Sequence, residues 1–403
     1  MVFSGGTKNN ELVAANTQEC LKRLEKILNK SVDSDIQLEV SGEWVSKSLI
    51  EAISANSSEQ KLLKISRQKE VFQLETIFPK EIVSQLEILW SGCYSEVFRV
   101  KNMNGEDIVL KVSLINRMNK DGVVVQNAST IMSDVLNSKR LSDLKTIPIE
   151  SADNYCENFA NVKSFLYVWS NRLVFNKSEY KGKGPKGKDP KAKYEYFISQ
   201  QTFGGKQLDL IYGLSPTKGL SLVLQLIASL AVAEECLHFE HRDLHTCNIL
   251  IKRTDEKYAS YSINGQKFRV QINGIKLTII DTTFSRTEIK TDSKEGKEVT
   301  HYLFNDLSTL NLEDYPNSEM KTIYLLQKEI TSNKWQEFCP KTNIIWLTYC
   351  VNKILKKVEK WSQKNSIEEN SICSNHLSQL KKIKETVGDS NSAKDLARIC
   401  QLF

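Results

Sequence analysis

The sequence predicts an α+β fold of two lobes, the first rich in β-strands and the second mainly helical, preceded by a helical extension. Three observations carry this. From Leu86 to Ile115 apolar and polar residues alternate, which is the period of a half-buried strand. After Gly204-Gly205 the apolar spacing becomes three and four, the period of a buried helix face. A chain of 403 residues with 40% hydrophobic and 26% charged residues is long enough, and ordinary enough, to fold around one large two-lobed core.

In chain order, residues 1–70 read as a helical extension. Leu21, Leu24 and Leu28 share one face of QECLKRLEKILNK, and GEWVSKSLIEAI continues as a second helix. Residues 71–203 form the β-rich lobe. LEILWSGCYSEVFRV and EDIVLKVSLI are strands joined through a turn at Asn102-Met103-Asn104-Gly105. A helix over 126–145 follows, through Ile131, Val135, Leu136 and Leu141, and strands return at Val162–Trp169 and Tyr194–Gln200. Between those strands the lysine-rich stretch 177–193 is nearly free of apolar residues and reads as a solvated loop, with phosphate contact as its rarer use. Residues 204–403 form the helical lobe. It has a long helix at 219–238, a hairpin insert at 258–276 turning at Asn264-Gly265, and helices near 318–331, 343–363 and 376–387. A last helix is capped by Ser392.

Composition sets limits on function. The nine cysteines contain no Cys-x-x-Cys pair, which argues for free thiols in a reducing compartment. The start MVFSGGTKNNE has no apolar signal core, which argues against secretion. The apolar run Leu220–Ala233 is broken by Ser221, Gln225 and Ser229, so it is too short for a membrane span and reads as a core helix. A net charge of +6 is compatible with work near nucleic acid without requiring it.

The chemistry is concentrated in two strings. Residues 241–248 read His-Arg-Asp-Leu-His-Thr-Cys-Asn, and an apolar strand closes at Thr278-Ile279-Ile280-Asp281. An aspartate, an asparagine five residues on, then an aspartate at a strand end form the oxygen set used in phosphoryl transfer from ATP. Asp243 would accept or orient the proton of the attacking hydroxyl. Asn248 and Asp281 would offer hard oxygen ligands to magnesium. Either string alone arises by chance; their order and spacing point to one site.

Lys111 lies on the second strand of the hairpin, where it can reach nucleotide phosphates; the plain alternative is an edge lysine facing solvent. The segment Leu89–Val97, with Gly92 and Ser95, holds the place of a phosphate loop. It has one glycine where several normally let backbone amides approach phosphates. Val97, Val109 and Leu250 would enclose the base. His245 either contacts the transferring phosphoryl group or holds the loop by hydrogen bonding. His238, His301 and His376 have no carboxylate or cysteine at ligand spacing and read as structural or exposed.

These strings together resemble a divergent family of protein kinases, the haspin histone threonine kinases. SLAVAEECLHFEHRDLHTCNILIK is similar to the family's helix and catalytic loop, including a histidine where many kinases carry lysine. FGGKQLDL resembles its hinge, IIDTTFSR its replacement for Asp-Phe-Gly, and NIIWLTY and SAKDLARICQLF its C-terminal helices. The resemblance covers roughly residues 75–403. It implies a bilobal protein-kinase-like fold, ATP and magnesium as cofactors, and a threonine near the start of a histone-three tail as substrate. It further implies a mitotic role on chromatin in the nucleus, with the cytoplasm as a second location. The expected protein is monomeric, without membrane attachment or sequence-specific nucleic-acid binding.

The hinge would set Thr202, Gly204 and Gln207 against the nucleotide, with Gln207 where the family has an acid. Asp134 would pair with Lys111 where kinases use glutamate. Thr282 stands where the family shows an aromatic, and Thr322 where a helix aspartate is expected. Asp306, Glu313 and Asp314 would read a basic tail, against the plain alternative of ordinary surface acids. The resemblance further implies activity without a phosphorylated activation loop, which fits the lack of an Ala-Pro-Glu signal after Asp281. Two other classes compete: a pseudokinase scaffold, favoured by the eroded phosphate loop, and a small-molecule phosphotransferase, opposed by Arg242 before Asp243.

Overall fold

The computed structural model describes Lys22 and residues 37–40, 43–92, 95–102, 104–118, 124–175, 193–292, 296–310, 312, 318–366, 368 and 371–403. The helix expected around Leu21, Leu24 and Leu28, most of the lysine-rich loop 177–193, and Glu313 and Asp314 lie outside the described residues. Two compact units emerge: residues 1–132 with 161–203, and residues 133–160 with 204–403.

The first unit opens with strands β1 (Gln37–Val40) and β2 (Glu43–Ser46), paired antiparallel, then helices α1 (Lys47–Ile53) and α2 (Ser58–Ile65). Here the sequence reading is corrected. GEWVSKSLIEAI is not one helix, because Glu43–Ser46 finds a strand partner in 37–40 and the helix starts only at Lys47. Pairing with a neighbouring strand outweighs the weak local preference for helix. Strand β3 (Phe72–Gln73) and the short helices α3 (Leu74–Ile77) and α4 (Lys80–Val83) follow.

Next come β4 (Glu87–Ser91), β5 (Glu96–Lys101) and β6 (Asp107–Leu114). The stretch 87–101, read as a single strand, is therefore two. Their turn is closed by the Gly92 N–H donating to Ser95 O at 3.1 Å. A small hairpin of β7 (Arg117–Met118) and β8 (Val124–Gln126) leads into helix α5 (Ala128–Asp143), within which the two units meet along the chain. Past β9 (Tyr155–Cys156), strands β10 (Val162–Ser170) and β11 (Tyr194–Thr202) complete a six-stranded sheet of order β3-β10-β11-β6-β5-β4.

Alternation assigns the faces of that sheet. Phe98, Val100, Leu110, Val112, Leu166, Val168, Tyr196 and Ile198 bury one face beneath Leu74, Ile77, Phe78 and Ile82. Val97 pairs with Lys111, and Arg99 with Val109, so these four share the opposite face.

The second unit is built around α6 (Pro216–Leu237), preceded by β12 (Lys206–Gln207). Ser215 caps α6 by accepting from Lys218 N at 3.4 Å, and Pro216 supplies its first turn, so it begins earlier than the periodicity suggested. At 22 residues it is long and apolar enough to cross a membrane, which corrects the reading that it is too short. It is nevertheless a core helix, with most of its length buried inside the unit.

Strands β13 (Ile249–Arg253) and β16 (Ile275–Ile279) pair antiparallel and carry the two motif strings at their ends. The insert folds as β14 (Tyr258–Ile263) and β15 (Gln266–Gln271). Asn264 and Gly265 both have positive φ, 49° and 79°, which a two-residue hairpin turn of this hand requires. The hairpin of β17 (Thr287–Asp292) and β18 (Glu298–Leu303) precedes α7 (Ser318–Thr331), α8 (Lys341–Lys364), α9 (Ile372–Val387) and α10 (Ala393–Ile399). Ser392 caps α10, accepting from Asp395 N at 3.0 Å.

Buried amides fix the strand that ends at Asp281. Gln225 of α6 donates to Ile275 O and accepts from Leu277 N, both at 3.0 Å, and Asn158 donates to Leu277 O at 2.7 Å. Each buried polar group here has a partner, which is the condition for placing amides in a core.

Candidate active site

The second unit supplies the acids. His241 is fully buried. Its backbone N–H donates to Asn343 Oδ1 at 3.0 Å, and its Nε2 lies 3.1 Å from Ile280 O, tying the loop to the strand that bears Asp281. Burial holds its imidazole neutral down to about pH 4. Arg242 adopts a left-handed backbone, φ 63°, which an ordinary residue keeps only when its surroundings enforce it. Its guanidinium, with no exposed surface, donates to Glu240 Oε1 at 2.9 Å and Oε2 at 3.2 Å, to Trp335 O at 2.7 Å, and lies over the Trp335 ring. Glu240 in turn accepts from Thr342 Oγ1 at 2.7 Å and Cys339 N at 3.0 Å.

That network delivers Asp243. Its side chain keeps 19% of its surface. Burial pushes the carboxyl well above the usual carboxylate range, the Tyr324 hydrogen bond opposes this, and the charge of Asp281 adds to it. Asn248 Nδ2 donates to Asp243 O at 2.9 Å, and this spends the amide nitrogen on the loop and leaves Oδ1 as the ligand end. Asp281 also has a left-handed backbone, φ 64°, and its Oδ1 accepts from Thr283 Oγ1 at 2.7 Å.

The donor set is chemically suited to magnesium: one amide oxygen and one carboxylate, both hard. Among the described residues no group of three or more His, Cys, Asp or Glu is placed to hold a metal. An ion at Asn248 and Asp281 would therefore complete its shell with phosphate oxygens and water, as magnesium on a nucleotide does.

His245 shows the loop-holding role directly. Its Nδ1 accepts from Cys247 N at 3.2 Å and so holds the loop, while Nε2 lies 3.3 Å from Asn248 Nδ2 and 3.8 Å from Asp243 Oδ2. Burial lowers its pKa, so the ring is neutral at pH 7, and with Nδ1 accepting, its proton sits on Nε2, toward Asp243 Oδ2.

Asp134 accepts from Thr282 Oγ1 at 2.8 Å, both within the second unit. Thr282, which replaces an aromatic, is thus a buried hydrogen-bonding link between α5 and the segment after Asp281. Gly204 is buried where an added Cβ would come within 2.9 Å of Leu250 and 3.1 Å of Thr278, so a larger residue there would have to displace those side chains. Gln207 pairs with Leu250 across β12 and β13. Asp306 is exposed and accepts from Ser308 N at 2.8 Å and Oγ at 2.6 Å.

In the first unit Lys111, Val97 and Val109 share one face of the sheet, Thr202 ends β11, and Leu89 is exposed on edge strand β4. Ser95 is buried at the turn, and the Trp90 ring lies over Gly92. Of the remaining histidines, His238 pairs with Glu288 at 2.5 Å, His301 with Thr291 at 2.8 Å and His376 with Thr217 at 2.9 Å.

Sequence reasoning missed four residues that hold the loop: Glu240, Asn343, Tyr324 and Gln327. Gln327 donates to Arg242 O at 3.2 Å, and Tyr324 donates to Asp243 Oδ1. Thr322, where an aspartate was expected, is exposed; α7 reaches the loop two and five residues later, through this Tyr and Gln. An acid two residues before a buried arginine was a usable signal for Glu240, and the asparagine opening NIIWLTY was one for Asn343. Tyr324 had none, because an aromatic at helical spacing reads as core.

A β-rich unit carrying a strand lysine, and a helical unit carrying Asp243, Asn248 and Asp281, define a protein kinase domain. The family described as Haspin like kinase domain matches residues 8–399, and the chain belongs to that family. The serine/threonine-protein kinase haspin of Mus musculus is 30% identical over 334 residues, 80% of this chain and 41% of the mouse protein. The haspin homolog of Drosophila melanogaster is 26% identical over 361 residues, 85% of this chain and 60% of its own length. That of Arabidopsis thaliana is 28% identical over 327 residues, 79% of this chain and half of the plant protein. The chain thus spans about 40–60% of the length of these relatives.

Proposed function

We propose that this chain transfers the γ-phosphoryl group of ATP to a threonine hydroxyl in a basic tail of the histone-three type, on chromatin. The observation that carries the reading is the fixed set at one end of the β13–β16 pair. Asp243 is held in a loop tied to the core, with Asn248 bonded to its carbonyl, Tyr324 to its carboxylate and Asp281 following the paired strand. Asp243 would orient the attacking hydroxyl and take its proton. Asn248 and Asp281 would hold magnesium, which neutralises charge on the phosphates, and neutral His245 would donate toward the transferring group. The first unit would contribute Lys111 toward the phosphates and Val97 and Val109 toward the base. In such a reaction the protein acts mainly by positioning and charge stabilisation. Exposed Asp306 would contact the basic tail.

The test is transfer from radiolabelled ATP with magnesium to a histone-three tail peptide, comparing wild type with Asp243→Asn. The variant should lose at least about a hundredfold in kcat. Equal rates would remove Asp243 from catalysis. A wild type that binds nucleotide without transfer would favour the scaffold reading.

A further inference from the structure

We propose that Tyr324 is a positioning residue for phosphoryl transfer: its buried hydroxyl holds Oδ1 of Asp243, leaving Oδ2 as the oxygen that meets the substrate hydroxyl. The inference rests on the kinase reading above and adds a residue to it.

The geometry is specific. Tyr324 lies on α7 and is 2% exposed. Its ring packs edge-on against Phe284, centroids 6.4 Å apart, and against Trp346 of α8, centroids 5.7 Å apart. Two aromatic neighbours in crossed orientation leave the ring little freedom. Its hydroxyl donates to Asp243 Oδ1, while Oδ2 is the oxygen that faces His245 Nε2, 3.8 Å away. The two carboxylate oxygens are therefore inequivalent before any ligand arrives.

One turn further along α7, Gln327 donates to Arg242 O at 3.2 Å, so the same helix face grips the main chain and the side chain of adjacent residues. Phe284 follows Asp281 by three residues, so the ring that orients the base also packs on the segment bearing the magnesium ligand.

A hydroxyl that only satisfied its own burial would seek any acceptor, and a backbone carbonyl would serve. Placement on the catalytic carboxylate has a consequence that mere packing lacks. The donor fixes which carboxylate oxygen is free, so removing it should let the carboxyl turn and make its two oxygens equivalent. Its loss should lower kcat rather than weaken binding of ATP.

The experiment compares wild type, Tyr324→Phe and a chain carrying 3-fluorotyrosine at position 324, a stronger donor. For the phenylalanine variant kcat should fall about tenfold with KM for ATP unchanged, in line with the loss of a hydrogen bond to a charged group. The 13C shift of the Asp243 carboxyl, read at one fixed pH and without turnover, should move in opposite directions in the two variants. The same shift in wild type and both variants would overturn the proposal even if kcat fell with stability. If wild type transfers nothing, the kinase reading fails by itself, and the carboxyl shift still decides the contact. Should the phenylalanine variant fail to fold, the fluorotyrosine chain carries the test.

Discussion

Around His241–Asn248 many polar groups find partners in distant parts of the second unit: Asn343 and Thr342 on α8, Tyr324 and Gln327 on α7, and the carbonyls of Trp335 and Ile280. The turn between β4 and β5 in the first unit is built differently. Strand β4 is exposed along its length, and the turn is made from local contacts, Gly92 N to Ser95 O at 3.1 Å and Ser91 Oγ to Glu96 Oε1 at 3.4 Å. A carboxylate that must meet one proton needs to be over-determined, and that makes it inseparable from the core. A loop over phosphates works through backbone amides and is held mostly by its own residues. Changes at the first site should therefore cost the fold; changes at the second should leave the fold and alter ligand binding.

The sharpest way to break this contrast is Glu240. Its carboxylate and Arg242 are both without exposed surface, and the pair is completed by Thr342 and Cys339. Glu240→Ala leaves a buried guanidinium uncompensated, which costs roughly 3–5 kcal/mol. Denaturant unfolding should show that loss. A value below about 1 kcal/mol would mean that the loop is far less tightly bound to the core than its contacts indicate.

Titration gives the next effect in size. Burial depresses the folded pKa of His241 to about 4, while the unfolded ring titrates near its ordinary 6.5. The unfolded state therefore takes up a proton first as pH falls. The His241 contribution, about 3 kcal/mol, is complete above about pH 6.5 and is lost progressively down to about pH 4. Glu234, fully buried on α6, has the opposite sign: burial raises it from 4.5 to about 8, so its contribution is present below 4.5 and lost as pH rises through 8. These two groups nearly cancel between about pH 4.5 and 6.5, and stability should fall on either side of that window. The direct check is the ring titration of His241 by NMR, expected near pH 4; a midpoint near 6.5 would contradict its burial.

How far the sequence foretold these two sites follows from the same contrast. Asp243, Asn248 and Asp281 were legible because spacing along the chain encodes them, and because β13 and β16 announce themselves as apolar strands. Helix α7 was legible to its ends for a similar reason, its periodic apolar face. Tyr324, Gln327 and Asn343 were not, since each meets the catalytic loop from 81 to 102 residues away in sequence. Contacts of that separation leave no local pattern. Glu43–Ser46 was misread for a related reason: a strand partner at 37–40 decided its conformation, and single-strand propensity is too weak to reveal it. Gly92 was read as the last remnant of a phosphate loop, and here the structure offers a second cause.

At Gly92 an added Cβ would come within 1.7 Å of the Trp90 ring, and φ is not in the region that demands glycine. The glycine is therefore needed by a neighbouring side chain as much as by any phosphate. Trp90 is 42% exposed and its ring tip can swing outward, so Gly92→Ala should cost no more than about 1 kcal/mol. In a Trp90→Ala background the same change should cost nothing measurable, and the coupling read from this double-mutant cycle isolates the contact. Affinity for ATP completes the test. If Gly92 serves the ring, its effect on KM for ATP disappears once Trp90 is gone. If it serves the phosphates, Gly92→Ala weakens ATP equally in both backgrounds, and this turn, for all its exposure, is the working phosphate loop.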